Sequence, residues 1–187
     1  QPGDDVILTI DSSVQNLTTE KLRDKKSAAA VVMDVNTGSI IALASVPGFD
    51  PGSFDRGLTS QQWKEISTDP LAPLTNKAVS GLYAPGSTFK MIVAMAALEK
   101  GVITPKQKIF CRGHIDLGNS RFHCWKKHGH GLTNLKKGIA QSCDVYFYEV
   151  AKKLGVDRLS ETAKKFGLGK KVLNGFIEER AGVVPNT

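Results

Sequence analysis

The sequence has no apolar run near the roughly 20 residues that a membrane-spanning helix needs. The longest, Met91 to Leu98, is far shorter, so any membrane anchor would lie outside these residues. Aromatic residues are not threaded among the basic ones. The formal charge is +7, but the lysines come as scattered pairs (Lys25-Lys26, Lys126-Lys127, Lys136-Lys137, Lys152-Lys153). A groove for nucleic acid needs basic and stacking residues together, so no nucleic acid is read here. A solvated, lysine-rich surface accounts for the charge, with attraction to an anionic polymer or membrane face as the functional alternative. Internal repeats and low-complexity tracts are absent. The opening Gln1-Pro2-Gly3-Asp4-Asp5 is neither a start methionine nor a signal peptide, and the chain reads as a piece of something longer. Cysteine is scarce. There are three, and one disulfide would leave a thiol over.

What is present is ordinary for a folded domain: 41% hydrophobic and 23% charged residues, which argues against disorder. Val6 to Ile10 is a short apolar run that predicts a strand. Ser12 to Lys25 predicts a helix, with Ser12 as cap and Gln15 completing a capping box. Two runs, Ser27 to Val35 and Ser39 to Ser45, flank Asn36-Thr37-Gly38 and predict a hairpin. Both runs are largely apolar, so both faces are expected to be covered by helices. A Pro/Gly-rich loop and a polar stretch with Trp63 follow. Ser87 to Lys100 predicts a helix apolar all round, hence buried, with Gly101 as its C-terminal stop. Thr133 to Leu154 predicts a second helical region with Ile139, Phe147, Val150 and Leu154 inward. Asp157 to Phe166 predicts a third. The order is helix and hairpin over 1–50, then a mainly helical part over 51–187. Two strands make a poor sheet alone, so further strands are expected from outside the chain.

Ser87-Thr88-Phe89-Lys90 is a Ser-x-x-Lys motif. As a pattern it is weak, since roughly one chance match is expected at this length. Its setting is stronger. Positions i and i+3 share a helix face, which puts Lys90 one turn below Ser87. Burial raises the cost of an ammonium and favours an amine able to take a proton. A serine hydroxyl needs such a base to become a nucleophile, and a helix N-terminus supplies N–H groups for a developing oxyanion. An N-cap serine with a snorkelling lysine is the bland alternative.

The block Tyr83-Ala84-Pro85-Gly86-Ser87-Thr88-Phe89-Lys90 closely resembles the active-site block of class B penicillin-binding proteins, the D,D-transpeptidases that cross-link peptidoglycan. Ile10-Asp11-Ser12-Ser13-Val14-Gln15 resembles the start of their transpeptidase domain, and Ala30 to Asp34 through Gly38 its first hairpin. Pro47-Gly48-Phe49-Asp50-Pro51 and Pro73 to Ala78 resemble the elongation-type group, penicillin-binding protein 2. The resemblance implies a penicillin-recognising α/β fold, of which this chain holds the first strands and the helical subdomain. The family's second motif, Ser-x-Asn, falls on Ser142-Cys143-Asp144, with Asp in place of Asn. Ser142 is thereby expected to pass a proton between Lys90, Ser87 and the leaving amine, and Asp144 to orient Lys90 or the substrate. The third motif, Lys-Thr/Ser-Gly, does not occur in the sequence, which implies truncation, cleavage or a remainder elsewhere. An isolated chain is therefore expected to acylate slowly.

Further implications of the resemblance are peptidoglycan stem peptides as substrate and β-lactams as inhibitors, with no cofactor for catalysis. A membrane-embedded glycosyltransferase and elongation-complex proteins are the implied partners. The implied location is the periplasm, on a protein anchored in the bacterial inner membrane. A D,D-carboxypeptidase or β-lactamase on the same scaffold, or a metal-stabilised module without chemistry, are the alternatives.

Cys111, Cys124 and Cys143 lie in one stretch with His114, His123, His128 and His130. Structural zinc takes four such ligands. The expected set is Cys111, Cys124, His130 and Cys143, with His130 chosen because Gly129 and Gly131 let the backbone bend it inward. His123 or His128 could replace His130. A Cys111–Cys124 disulfide with Cys143 free, or three unrelated thiols, remain the alternatives.

Overall fold

The computed structural model describes residues 3–173 and 178–187, which divide into two units. The first comprises Gln1–Leu82 with Leu173–Arg180, the second Tyr83–Val172 with Ala181–Thr187.

In the first unit the hairpin forms as the sequence predicts. Strand β1 (Ala28–Met33) pairs antiparallel with β2 (Ile40–Val46), with a register shift between Val32 and Met33. The turn is held by Asp34, whose Oδ1 accepts from the amides of Asn36 and Thr37 at 2.7 and 3.0 Å. Helix α1 (Ser12–Leu22) is capped differently from expectation. Asp11, not Ser12, accepts from the Val14 amide at 2.9 Å. Gln15 does not close a capping box; its side-chain amide takes the N–H and C=O of Leu43 at 2.7 and 3.1 Å. An amide carries one acceptor and two donors, so it can satisfy both groups on the open edge of β2.

Val6 to Ile10 forms no strand. Val6, Ile7 and Leu8 are exposed, and the stretch that follows them is tied to the start of β2 through Thr9 Oγ1 and the Asp11 amide. Val31 and Met33 are about half exposed, so the hairpin's outer face is less covered than its composition suggests. Three short helices follow: α2 (Gly52–Asp55), α3 (Ser60–Thr68) and α4 (Lys77–Ser80). Helix α3 carries a full capping box, Thr59 with Gln62, within the polar stretch around Trp63.

The second unit is built on helix α5 (Lys90–Glu99), packed against α7 (Asp144–Leu154) and α8 (Val156–Lys165). Its core joins Val93, Ala94 and Ala97 of α5 to Val145, Tyr146, Phe147 and Val150 of α7. Helix α5 is not buried all round. Met91, Met95 and Leu98 form a half-exposed stripe, because α7 and α8 cover only the flank carrying Val93, Ala94 and Ala97.

The predicted helix over 133–154 is two helices. Helix α6 (Leu135–Ala140) ends at Gln141, and α7 starts afresh at Asp144. Ser142 has φ +47°. The Cys143 amide bonds Gly138 O at 2.9 Å and the Ser142 amide bonds Ile139 O at 3.1 Å. That pair of bonds is a Schellman stop, with serine at the left-handed position where glycine is usual. Ile139 is consequently part exposed rather than inward, while Phe147, Val150 and Leu154 are buried. Between α5 and α6 two small antiparallel strand pairs form that the sequence did not suggest, the second a hairpin inserted between the strands of the first. One pairs β3 (Ile109–Cys111) with β6 (Gly131–Thr133), the other β4 (His114–Leu117) with β5 (Ser120–His123).

Candidate active site

Ser87 lies in a single 3₁₀ turn, Gly86–Phe89, that leads into α5. Gly86 opens it with φ +56°, and Thr88 Oγ1 closes it onto Pro85 O at 2.6 Å. The expectation placed Ser87 in the first turn of the α-helix. The tighter turn instead leaves Ser87 exposed while Lys90, three residues on, points into the unit. The Lys90 side chain is 12% exposed. Its Nζ donates to Ser142 O and Ser142 Oγ, both at 2.9 Å, and to Asp144 Oδ1 at 2.6 Å. The ammonium also lies over the Phe147 ring, 5.9 Å from its centre, within cation–π range.

Ser142 Oγ is in turn 3.0 Å from Ser87 Oγ. Lys90 therefore meets Ser87 through the Ser142 hydroxyl. The i, i+3 spacing of the motif alone puts Lys90 directly below Ser87; the family resemblance is what implies a place for Ser142 between them. The left-handed backbone at Ser142 is what turns this hydroxyl toward both partners. It is held there while the cap of α7 follows at Cys143, whose Sγ accepts from the Tyr146 amide at 3.5 Å.

Asp144 uses both carboxylate oxygens. Oδ1 takes Lys90, and Oδ2 takes the Trp125 amide at 2.9 Å. Burial pushes its carboxyl up, but the hydrogen bonds from Lys90 and Trp125 outweigh this and leave it below the ordinary carboxylate value. The four residues expected to act together, Ser87, Lys90, Ser142 and Asp144, thus form one continuous hydrogen-bonded chain. Chemically, such a chain can move a proton off an exposed hydroxyl onto an amine without solvent. Trp125 was not singled out from the sequence. Its amide contact is main-chain and has no residue-type signal.

Behind this chain lie Cys111, Cys124, His130 and Cys143, all buried, with one donor atom from each lying within 4.8 Å of the others. The three sulfurs are free thiols. His130 Nδ1 is 3.7 Å from Cys111 Sγ and 3.4 Å from Cys124 Sγ. His123 and His128 are exposed and stand outside the cluster. Burial pushes the Cys143 thiol up to about 12. Burial also acts upward on Cys111, but amides of His130 and Gly113 directed at its sulfur bring it below the ordinary thiol value. Burial and the charges of Lys126 and Lys137 lower His130 and keep its ring neutral. Gly129 allows the approach. A Cβ there would overlap the Cys111 carbonyl.

A family model described as the penicillin binding protein transpeptidase domain matches residues 28–187. The peptidoglycan D,D-transpeptidase MrdA of Escherichia coli K12 is 42% identical over 187 residues, spanning 99% of this chain and 29% of that protein. Among solved structures, Pseudomonas aeruginosa PBP2 in complex with WCK 5153 superposes with a TM-score of 0.90 at 37% identity, over 98% of this chain and 42% of that one. The PBP2 of Helicobacter pylori in complex with MreC gives 0.85 at 33% identity, over 95% of this chain and 33% of that one. The chain thus spans under a third of the curated relative's length and has the relatives' fold over nearly all of its own. With the family model covering residues 28–187, it belongs to the penicillin binding protein transpeptidase domain family.

Proposed function

We propose that this chain carries the nucleophile and proton relay of a peptidoglycan D,D-transpeptidase. The observation that supports it most is the unbroken sequence Ser87 Oγ, Ser142 Oγ, Lys90 Nζ, Asp144 Oδ1, with links of 3.0, 2.9 and 2.6 Å. Ser87 Oγ attacks the carbonyl between the two D-alanines of a stem peptide. For this step Lys90 Nζ acts as the neutral amine: its two N–H groups go to Ser142 O and Asp144 Oδ1, and its lone pair takes the proton that Ser87 passes through the Ser142 hydroxyl. As the tetrahedral adduct collapses, the same path returns a proton to the departing amine of the terminal D-alanine. An acyl-Ser87 ester remains. The amine of a neighbouring stem then attacks the ester, gives up a proton along the relay, and leaves Ser87 free and the two stems joined. Asp144 holds the Lys90 head group beside Ser142. A β-lactam enters by the same attack, with its ring nitrogen as the leaving group that stays tethered. In the intact protein, incubation with a penicillin should add the drug's mass to the peptide containing Ser87. An adduct mapped to any other residue overturns the assignment.

The setting we propose is the periplasmic side of an inner-membrane-anchored protein working with a membrane-embedded glycosyltransferase and elongation-complex proteins. Likeness to a PBP2 solved in complex with MreC supports a partner of that kind. Among the described residues no helix is long and apolar enough to cross a membrane.

We further propose a structural zinc ion held by Cys111, Cys124, His130 and Cys143. The donor set fits. Zinc–sulfur and zinc–nitrogen bonds of about 2.3 and 2.0 Å put tetrahedral S–N edges at about 3.5 Å, and the Cys–His130 distances are 3.7 and 3.4 Å. Four protein ligands leave no open position, so the ion's role is to cross-link chain segments. Cys143 sits between Ser142 and Asp144, and the cross-link would fix that turn. Protein purified without added metal should hold about one zinc per chain, and Cys143→Ala should lower thermal stability and acylation rate together. Less than half an equivalent of zinc, with a mass showing a Cys111–Cys124 disulfide, excludes the ion.

A further inference from the structure

We infer that the indole of Trp125 is a positioning residue that holds the Ser142 hydroxyl in its relay geometry. This rests on the proposed roles of Ser87 and Ser142. Trp125 is 66% exposed, yet its one side-chain polar atom is engaged. Its Nε1–H donates to Gln141 O at 3.0 Å. Its ring meets the His130 ring edge to face, with centres 5.3 Å apart. Neither contact reaches Ser87 or Lys90.

Gln141 O matters because it belongs to the peptide plane joining Gln141 to Ser142. The other polar group of that plane, the Ser142 amide, is tied to Ile139 O at 3.1 Å. A peptide unit is rigid, so fixing its oxygen and its N–H fixes the axis about which Ser142 φ turns. That residue stands at +47°, a conformation that favours glycine and from which serine relaxes downhill. The easiest relaxation is rotation of this peptide plane, which would carry Oγ away from Ser87. The indole blocks that rotation from the carbonyl side. The main-chain amide of Trp125 grips Asp144 Oδ2 at 2.9 Å on the far side of the same turn. Residue 125 therefore clamps Ser142-Cys143-Asp144 at both ends, one end through its side chain and the other through its backbone.

Only the side-chain grip is open to substitution, so it can be tested alone. Trp125→Phe keeps an aromatic wall and loses the N–H. Replacing Trp125 with benzothienylalanine, which exchanges the ring N–H for sulfur at nearly the same shape, covers the case in which Phe disturbs folding. The intact protein is followed with a fluorescent penicillin over a range of concentrations, separating the reversible dissociation constant from the first-order acylation constant. Both variants should acylate about tenfold more slowly, the loss expected from one hydrogen bond, with the dissociation constant unchanged within about twofold. Unchanged acylation in the benzothienyl protein overturns the inference. So does a weaker dissociation constant with unchanged acylation, which would make Trp125 a ligand contact. Wild-type protein that takes no label at Ser87 defeats the proposed function itself, independently of either variant.

Discussion

Lys90→Met should lower the rate of penicillin acylation in the intact protein by about 10³-fold or more, within the range that general-base removal produces. Methionine keeps the length and apolar packing of the lysine stem but cannot take a proton. The hydroxyl of Ser87 would then reach Ser142 and find no acceptor beyond it. The substitution has a second consequence that must be separated from the first. Asp144 is 20% exposed at its side chain, and the ammonium is its ionic partner at 2.6 Å. Removing one member of a poorly solvated pair leaves the other uncompensated, and that alone destabilises a fold. The double variant Lys90→Met with Asp144→Asn removes both charges while an amide can still accept from the Trp125 N–H. It should recover most of the melting temperature lost by Lys90→Met and none of the acylation. Acylation within tenfold of wild type in Lys90→Met would mean that the proton leaves by another route.

The contrast between what could and could not be read from the sequence follows the range of each interaction. Ser87 and Lys90 are three residues apart, so their relation was visible in one motif. The hairpin turn at Asp34 to Ser39 is equally local, and it was legible too. A place for Ser142 between Ser87 and Lys90 came only with the family resemblance and not from the residues themselves, because the geometry depends on a left-handed serine that carries no residue-type signal. A glycine at position 142 would have announced the break between α6 and α7; a serine let the two helices be read as one. The two strand pairs between α5 and α6 have strands of three or four residues, too short to show a two-residue alternation. In the metal-ligand expectation the choice of His130 rested on flanking glycines and chain freedom. The structure adds a steric reason at Gly129, whose missing Cβ lets that turn lie against Cys111. Val6 to Ile10 was read as a strand on composition alone, and composition does not supply a partner strand. The capping error at α1 is of the same kind. Asp11 and Ser12 are both good caps, and the Gln15 amide was claimed by a strand edge far away in sequence.

The strain at Ser142 permits a test in which activity and stability should part company. Ser142→Ala and Ser142→Gly both delete the hydroxyl that bridges Lys90 Nζ and Ser87 Oγ. Each should slow acylation by about 10²-fold or more, because the relay has lost its middle member. Their stabilities should differ. At φ +47° an alanine Cβ meets the same crowding as the serine Cβ, which costs about 1 kcal/mol relative to glycine. The cost applies directly here, because the two Schellman bonds to Gly138 O and Ile139 O and the indole bond to Gln141 O together hold the backbone in this conformation in both variants. Ser142→Gly should therefore melt measurably above Ser142→Ala while being no more active. A folding role for Ser142 would instead tie the two quantities together, with the more stable variant acylating faster. Two results would count against the relay. One is Ser142→Gly acylating within fivefold of wild type. The other is an alanine variant melting at or above the glycine variant, which would remove the strain that makes serine at this position costly to keep for any reason except its hydroxyl.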